Sequence, residues 1–123
     1  MNKNKFTKLL YCFSLVVFFN ITYAIIYHVP EDKQLIQDAI KESESGDTVS
    51  IWVHTVPPDT YYENISFEGK NIMVVNRSYI STIQGYPPDP SYVVIDTAHE
   101  GSVVTFNSGE TRDAILKGFT IRT

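Results

Sequence analysis

The sequence predicts an all-β chain in which short parallel strands stack in about two turns of three, behind one amphipathic helix. The residues 101–121, GSVVTFNSGETRDAILKGFTI, hold two apolar runs of β type, 103–106 and 114–121. A polar link carrying Asn107, Ser108, Gly109 and Glu110 joins them. Runs rich in Val, Ile, Phe and Thr and bounded by Gly and Asn read as short strands. Hydrophobic spacing also changes from helical to strand-like past Gly46. Finally, no Asn-Gly or Asp-Gly pair occurs, so the usual hairpin signals of an antiparallel sandwich are missing.

The first 24 residues stand outside that fold and read as a signal peptide. Lys3, Lys5 and Lys8 form a basic start, and the run 9–19 is apolar apart from Ser14. Thr22, Tyr23 and Ala24 then bring a small residue to the position a signal peptidase reads, so cleavage is expected after Ala24. The apolar run is short against the roughly twenty residues that span a bilayer, so no membrane span is expected to be retained. Cys12 lies inside this run behind the bulky Tyr11, which argues against a lipoprotein site.

The remaining 25–123 form one small domain without cysteine, and its stability has to come from core packing. Loss of the three leading lysines moves the formal charge from −4 to about −7, with all 14 acidic side chains retained. An acidic surface excludes nucleic acid as the expected partner. It disfavours polyanionic glycans unless calcium bridges the charges, and it is neutral toward uncharged ones.

The elements follow in order. The opening residues 25–29 are β-branched and aromatic and predict a short strand. Pro30 suits the first turn of a helix, with Glu31 and Asp32 at the positive end of its dipole. Leu35, Ile36, Ala39 and Ile40 share one face, and Gly46 follows where a left-handed cap is common. Val49, Ile51 and Val53 then alternate with Thr48, Ser50 and Trp52. The run 61–67 sets Tyr61, Ile65 and Phe67 against Tyr62, Asn64 and Ser66, and 72–75 is apolar throughout, as in a strand buried on both faces. Residues 76–92, with Gly85, Pro87, Pro88 and Pro90, predict a long loop. Strands resume at 93–95, 103–106 and 116–121. Glycines 46, 69, 101 and 118 recur near strand boundaries, too irregularly for a sequence repeat.

Four blocks carry a likeness: IQDAI at 36–40 with GDTVSIWV from Gly46, TYYENISF at 60–67, GKNIMVV at 69–75, and VVID at 93–96 with the segment after Gly101. In order and spacing they closely resemble the opening coils of secreted right-handed parallel β-helices, the pectin lyase-like superfamily. The resemblance implies a right-handed coil, a helix closing the first turn, export or a cell-surface place, and contact with polysaccharide. One departure is Pro57-Pro58-Asp59, where related chains commonly have a Pro-Gly turn. Stacked repeats generally need three or more units and a cap. The expectation is therefore an N-terminal part of a longer β-helix, truncated at its C-terminus, with further coils of the full-length protein as partners.

The resemblance implies two functions: a noncatalytic binding or adhesive scaffold, or the leading part of a lyase, glycoside hydrolase or esterase with its active site beyond Thr123. Family enzymes use aspartates on the outer face of one sheet, often with an arginine and calcium. Asp96, Asp113, Arg112 and Arg122 are the residues of that type here, and none matches a family motif, so no catalytic residue is assigned. Calcium would enter only with a longer protein, and no other cofactor is expected. His28, His54 and His99 show no metal-ligand spacing. Glu63 reads first as an exposed strand residue or a satisfied turn contact and second as a glycan contact. Asn64-Ile65-Ser66 and Asn76-Arg77-Ser78 match the glycosylation triplet. Trp52, Tyr62, Tyr86 and Tyr92 are the candidate carbohydrate-binding residues, because sugar rings stack on exposed aromatic faces. The proline-limited loop carrying Tyr86 is the candidate recognition surface.

The export reading has a direct check. N-terminal sequencing of secreted protein is expected to start at Ile25, and an intact Met1 on protein confined to the cytoplasm would rule it out.

Overall fold

A computed structural model describes residues 20–83 and 85–123. The expected signal-peptide core at 9–19 lies outside them, and among the described residues no helix is long and apolar enough to cross a membrane. The chain is mostly strand with little helix: β1 (Ile26–Val29), α1 (Ile36–Glu42), β2 (Thr48–Ile51), β3 (Asp59–Tyr62), β4 (Ile65–Ser66), β5 (Met73–Asn76), β6 (Val93–Asp96), β7 (Val104–Thr105), β8 (Ile115–Lys117) and β9 (Thr120–Arg122).

The strands form three sheets, ordered β1-β2-β5-β8, β3-β6-β9 and β4-β7. Every strand pair among them is parallel, as the missing hairpin signals predicted. From β2 onward the chain visits the first, second and third sheet in turn and then begins again. Register therefore stacks like positions: Val49 on Val74 and Leu116, Tyr61 on Ile95 and Ile121, Ile65 on Val104. The inward residues Val49, Ile51, Tyr61, Ile65, Phe67, Ile72, Val74 and Ile95 make one core with Val29.

Two predicted strands are each broken by a corner. The 61–67 run splits at Glu63 and Asn64 into β3 and β4, and the 116–121 run splits at Gly118 and Phe119 into β8 and β9. The burial alternation predicted for 61–67 nevertheless holds: Tyr61, Ile65 and Phe67 are buried, while Tyr62 is exposed and Asn64 and Ser66 half-buried. A corner that conserves alternation cannot be seen from periodicity alone. Past Val103 the strand is confined to Val104–Thr105, and Phe106 is exposed against the ring of Phe67, 4.2 Å between centroids.

The helix starts later than Pro30, Glu31 and Asp32 suggest. Those residues form a turn against β1, in which the Asp32 and Lys33 N–H groups donate to the His28 carbonyl and Asp32 Oδ2 accepts from the His28 N–H. Leu35, expected in the apolar face, is the exposed N-cap residue and offers no side-chain cap. Gly46 does have a left-handed φ of 100°, but the helix has already closed at Ser43, so Gly46 belongs to the turn into β2.

Seven residues are too few for a helix to persist on propensity, since isolated helices below about 12–15 residues are marginal in water. Burial of Ile36 and Ile40 contributes roughly 2–3 kcal/mol each, with Ala39 buried between them. The ends are held by residues from the next turn of chain. Glu63 Oε2 accepts from the Ile36 N–H at 2.9 Å and Oε1 from the Gln37 N–H at 3.0 Å, and Lys70 Nζ donates to the Ile40 and Lys41 carbonyls at 2.7 and 2.8 Å. A carboxylate thus sits at the positive end of the helix dipole and an ammonium at the negative end. Gln37 completes the seam, its carboxamide accepting from the Ser66 N–H and donating to the Ser66 carbonyl as a neighbouring strand would.

Replacing Glu63 by Ala leaves two N–H groups at a buried helix end without acceptors and is expected to cost about 2–3 kcal/mol. Glu63→Gln, which loses the charge and one acceptor, is expected to cost about 1 kcal/mol. Chemical denaturation measures both, and an alanine variant within about 0.5 kcal/mol of the parent would contradict the capping role.

Candidate functional site

The candidate site grows from the loop between β5 and β6. Asn76, the last residue of β5, is fully buried, and its Nδ2 donates to the carbonyls of Asp89 at 3.0 Å and Gly118 at 2.8 Å. Its Oδ1 accepts from the Ser78 N–H and hydroxyl, which tightens a 3-10 turn over Arg77–Tyr79. One amide therefore ties both ends of the loop to the corner between β8 and β9. A second 3-10 turn, Pro90–Tyr92, is capped by Asp89, whose carboxyl is held below its ordinary range by hydrogen bonds from the Ser91 hydroxyl and N–H. The predicted loop of 76–92 thus carries ordered turns at both ends, and an antiparallel bridge joins Ile83 to Tyr86 between them.

Arg77 anchors the first turn from outside. Its guanidinium grips the Glu31 carboxylate with two bonds of 2.6 and 2.7 Å and reaches Ser50 Oγ on the face of the first sheet. Glu31 is consequently lowered from 4.5 to about 2, chiefly by the hydrogen bond to Arg77 working against the opposing effect of burial. Tyr79 follows, with no room beneath it: a Cβ on Gly118, whose φ is +82°, would lie 2.4 Å from the Tyr79 ring. The Lys117 ammonium sits 5.7 Å from the centre of the same ring.

Three of the four candidate aromatics come together. Trp52, Tyr86 and Tyr92 meet edge to face, with centroids 5.6 Å apart for Trp52–Tyr86, 5.9 Å for Trp52–Tyr92 and 5.6 Å for Tyr86–Tyr92. Such contacts are worth about 0.5–1.5 kcal/mol each beyond their burial. Trp52 and Tyr92 also pack on the core. The Tyr61 hydroxyl donates to the Trp52 carbonyl, and burial pushes that phenol well above the ordinary range. Tyr86 alone of the three lines an open groove of about 560 Å³ walled by Tyr79, Ile80, Thr82, Ile83, Pro87 and Pro88 with Ser78, Ser81 and Gly85. No charged side chain is among these described walls.

Tyr62 stands apart, at the far end of the second sheet's strands. It is 65 % exposed, in a row with its register partners Asp96 and Arg122. Arg122 Nε donates to Asp96 Oδ2 at 2.7 Å, and this bond raises the guanidinium above its ordinary value. Arg112 and Asp113 are exposed in a turn where Thr111 Oγ1 accepts from the Asp113 N–H. His54 Nδ1 meets Asp59 Oδ2 at 2.7 Å, while His28 lies on β1 and His99 in the loop before β7. Among the described residues no group of three or more His, Cys, Asp or Glu side chains is placed to hold a metal ion.

Of the two glycosylation triplets, Asn76 is sealed in the core by its amide bonds. Asn64 Nδ2 donates to the His99 and Ser102 carbonyls, and Oδ1 accepts from the Ala98 and His99 N–H groups. Glu63, weighed as a glycan contact, has both oxygens committed to α1. The parts that Asn76, Arg77, Tyr79 and Gly118 play in holding the loop escaped sequence reasoning because their partners lie up to 48 residues away.

No family model, curated protein or solved structure matches this chain.

The Arg77–Glu31 clamp has a pH signature. The Glu31 pKa is lower in the folded chain than its ordinary 4.5, so its stabilisation is complete above about 4.5 and is lost as pH falls through about 2. Because the Glu31 side chain is about half exposed, the contribution is discounted to about 0.5–1 kcal/mol. Urea titrations of the parent and Glu31→Gln are expected to differ by that amount at pH 6 and to converge near pH 2. A gap that persists at pH 2 would assign the effect to packing instead.

Proposed function

We propose that this chain is part of an exported right-handed parallel β-helix that serves as a noncatalytic polysaccharide-binding or adhesive scaffold, secreted or at the cell surface. The observation that carries the binding half is Tyr86, braced edge to face by Trp52 and Tyr92 on the wall of an open, hydroxyl-bearing groove. A rigid aromatic loses little entropy on contact, and its apolar face with a polar edge suits a sugar ring.

Support for the coil comes from parallel sheets visited in fixed rotation and from a helix set where the second and third sheets would otherwise begin. Support for further coils comes from β7, β8 and β9, each bonded among the described residues to a strand on one side only, with Phe106, Ile115 and Ile121 exposed beside them. Apolar edges of this kind are normally paired or covered. Tyr62 with the Asp96–Arg122 pair favours the second reading, the leading part of a polysaccharide-degrading enzyme, since it puts a carboxylate and an arginine on one outer face. Both groups are already spent on each other, and the scaffold reading is preferred for that reason.

Affinity electrophoresis against soluble polysaccharides, with reducing-end and unsaturated-product assays alongside, separates the two. Retardation by at least one glycan without turnover is expected, and Tyr86→Ala is expected to weaken it tenfold or more, about 1.4 kcal/mol. A correctly folded chain that no glycan retards would end the binding reading, and turnover would favour the enzyme.

A further inference from the structure

We infer that the groove beside Tyr86 is selective for uncharged sugars, so that its ligand is a neutral glycan and not a uronic-acid polymer. The inference rests on the polysaccharide-binding reading and narrows it. Selection of an acidic sugar calls for a cation with free donors, preferably an arginine fork that can grip a carboxylate with two bonds. The described walls offer none: they are hydroxyls, proline rings, isoleucines and two tyrosines. Hydroxyls both donate and accept, which matches the hydroxyl groups of a neutral pyranose, and a volume of about 560 Å³ lies in the range of small-ligand sites.

Two arginines on neighbouring elements are paired with carboxylates. Arg77, at the foot of the loop, is turned outward onto Glu31. Lys117 makes a cation–π contact with Tyr79, its ammonium 5.7 Å from the ring centre. Arg122, on the second sheet, is paired with Asp96. The chain as a whole is acidic, −4 over its full length, and repels a polyanion before contact. Tyr79 is fixed by the close approach of Gly118, and Tyr86 by Trp52 and Tyr92, so the two aromatic walls are set before any ligand arrives.

Calorimetric titration of the whole chain with a neutral glucan or galactan oligosaccharide, and with polygalacturonate and alginate oligosaccharides of equal length, tests this. Each is run at low salt and at several-fold higher salt, with and without calcium. The neutral ligands are expected to bind about tenfold or more tighter than the acidic ones, with less than about a twofold change on adding salt. Ser81→Lys, an exposed wall position, is expected to raise affinity for the acidic oligosaccharides about fivefold or more and to make it salt-sensitive. Acidic oligosaccharides that bind as well as neutral ones, and lose that binding in Tyr86→Ala, would overturn the selectivity while leaving glycan binding in place. Absence of binding by either class would remove both.

Discussion

Glu63 holds the start of the fold together. Among the described residues its carboxylate supplies the only side-chain acceptors for the N–H groups of Ile36 and Gln37, from a position 27 residues beyond Ile36. Because α1 sits between β1 and β2, both strands of the first sheet, the helix is the lid on the core beneath it. The Glu63 backbone meanwhile donates to the Asp96 carbonyl, so one residue joins the helix, the β3–β4 corner and the end of β6. A carboxylate shared among backbone donors in a buried place keeps its value only while every partner stays put. Gln37 and Lys70 tie the same two layers, which makes the seam cooperative.

Elsewhere, amide and carboxylate side chains do at corners what backbone does in strands. A parallel ladder is interrupted wherever the chain passes between sheets, and the groups freed there need partners. Asn76 closes the loop after β5, Asn64 closes the loop after β6, and Asn71 Oδ1 accepts from the Thr111 N–H. Asp47 receives the N–H groups of Ile25 and Glu44 and thereby sets the start of β1. Short polar side chains in these places replace the cross-links that a cysteine-free domain lacks.

The groove inherits its character from this economy of pairing. Glu31 is paired with Arg77 at the foot of the loop, and the groove walls contribute hydroxyl, aromatic and proline surface. Three parallel sheets do not dictate a function, since one architecture hosts many. What distinguishes this molecule is the long loop between β5 and β6, whose Tyr86 and Tyr92 meet Trp52 beside a cleft with no charged side chain among its described walls.

Strand character, parallel pairing and the inward residues were legible in the sequence because burial imposes a local period, two along a strand and 3.6 along the helix. Thus Val49, Ile51, Tyr61, Ile65 and Phe67 were correctly read as inward, and the loop of 76–92 as the place where the rhythm stops. The corners at Glu63 and Gly118 were not legible, because a turn that keeps alternation leaves no mark on it. The helix start was misread for a related reason: Pro30, Glu31 and Asp32 satisfy the local rules of a helix N-terminus, while the true cap comes from Glu63. Trp52, Tyr62, Tyr86 and Tyr92 were equivalent by composition. Only the folded chain gathers three of them, sends Tyr62 to the far end of the strands and puts Tyr86 on the groove wall. Local sequence determines which face of an element is apolar, whereas the choice of cap, pin and groove wall depends on residues brought together by tertiary contacts across tens of positions.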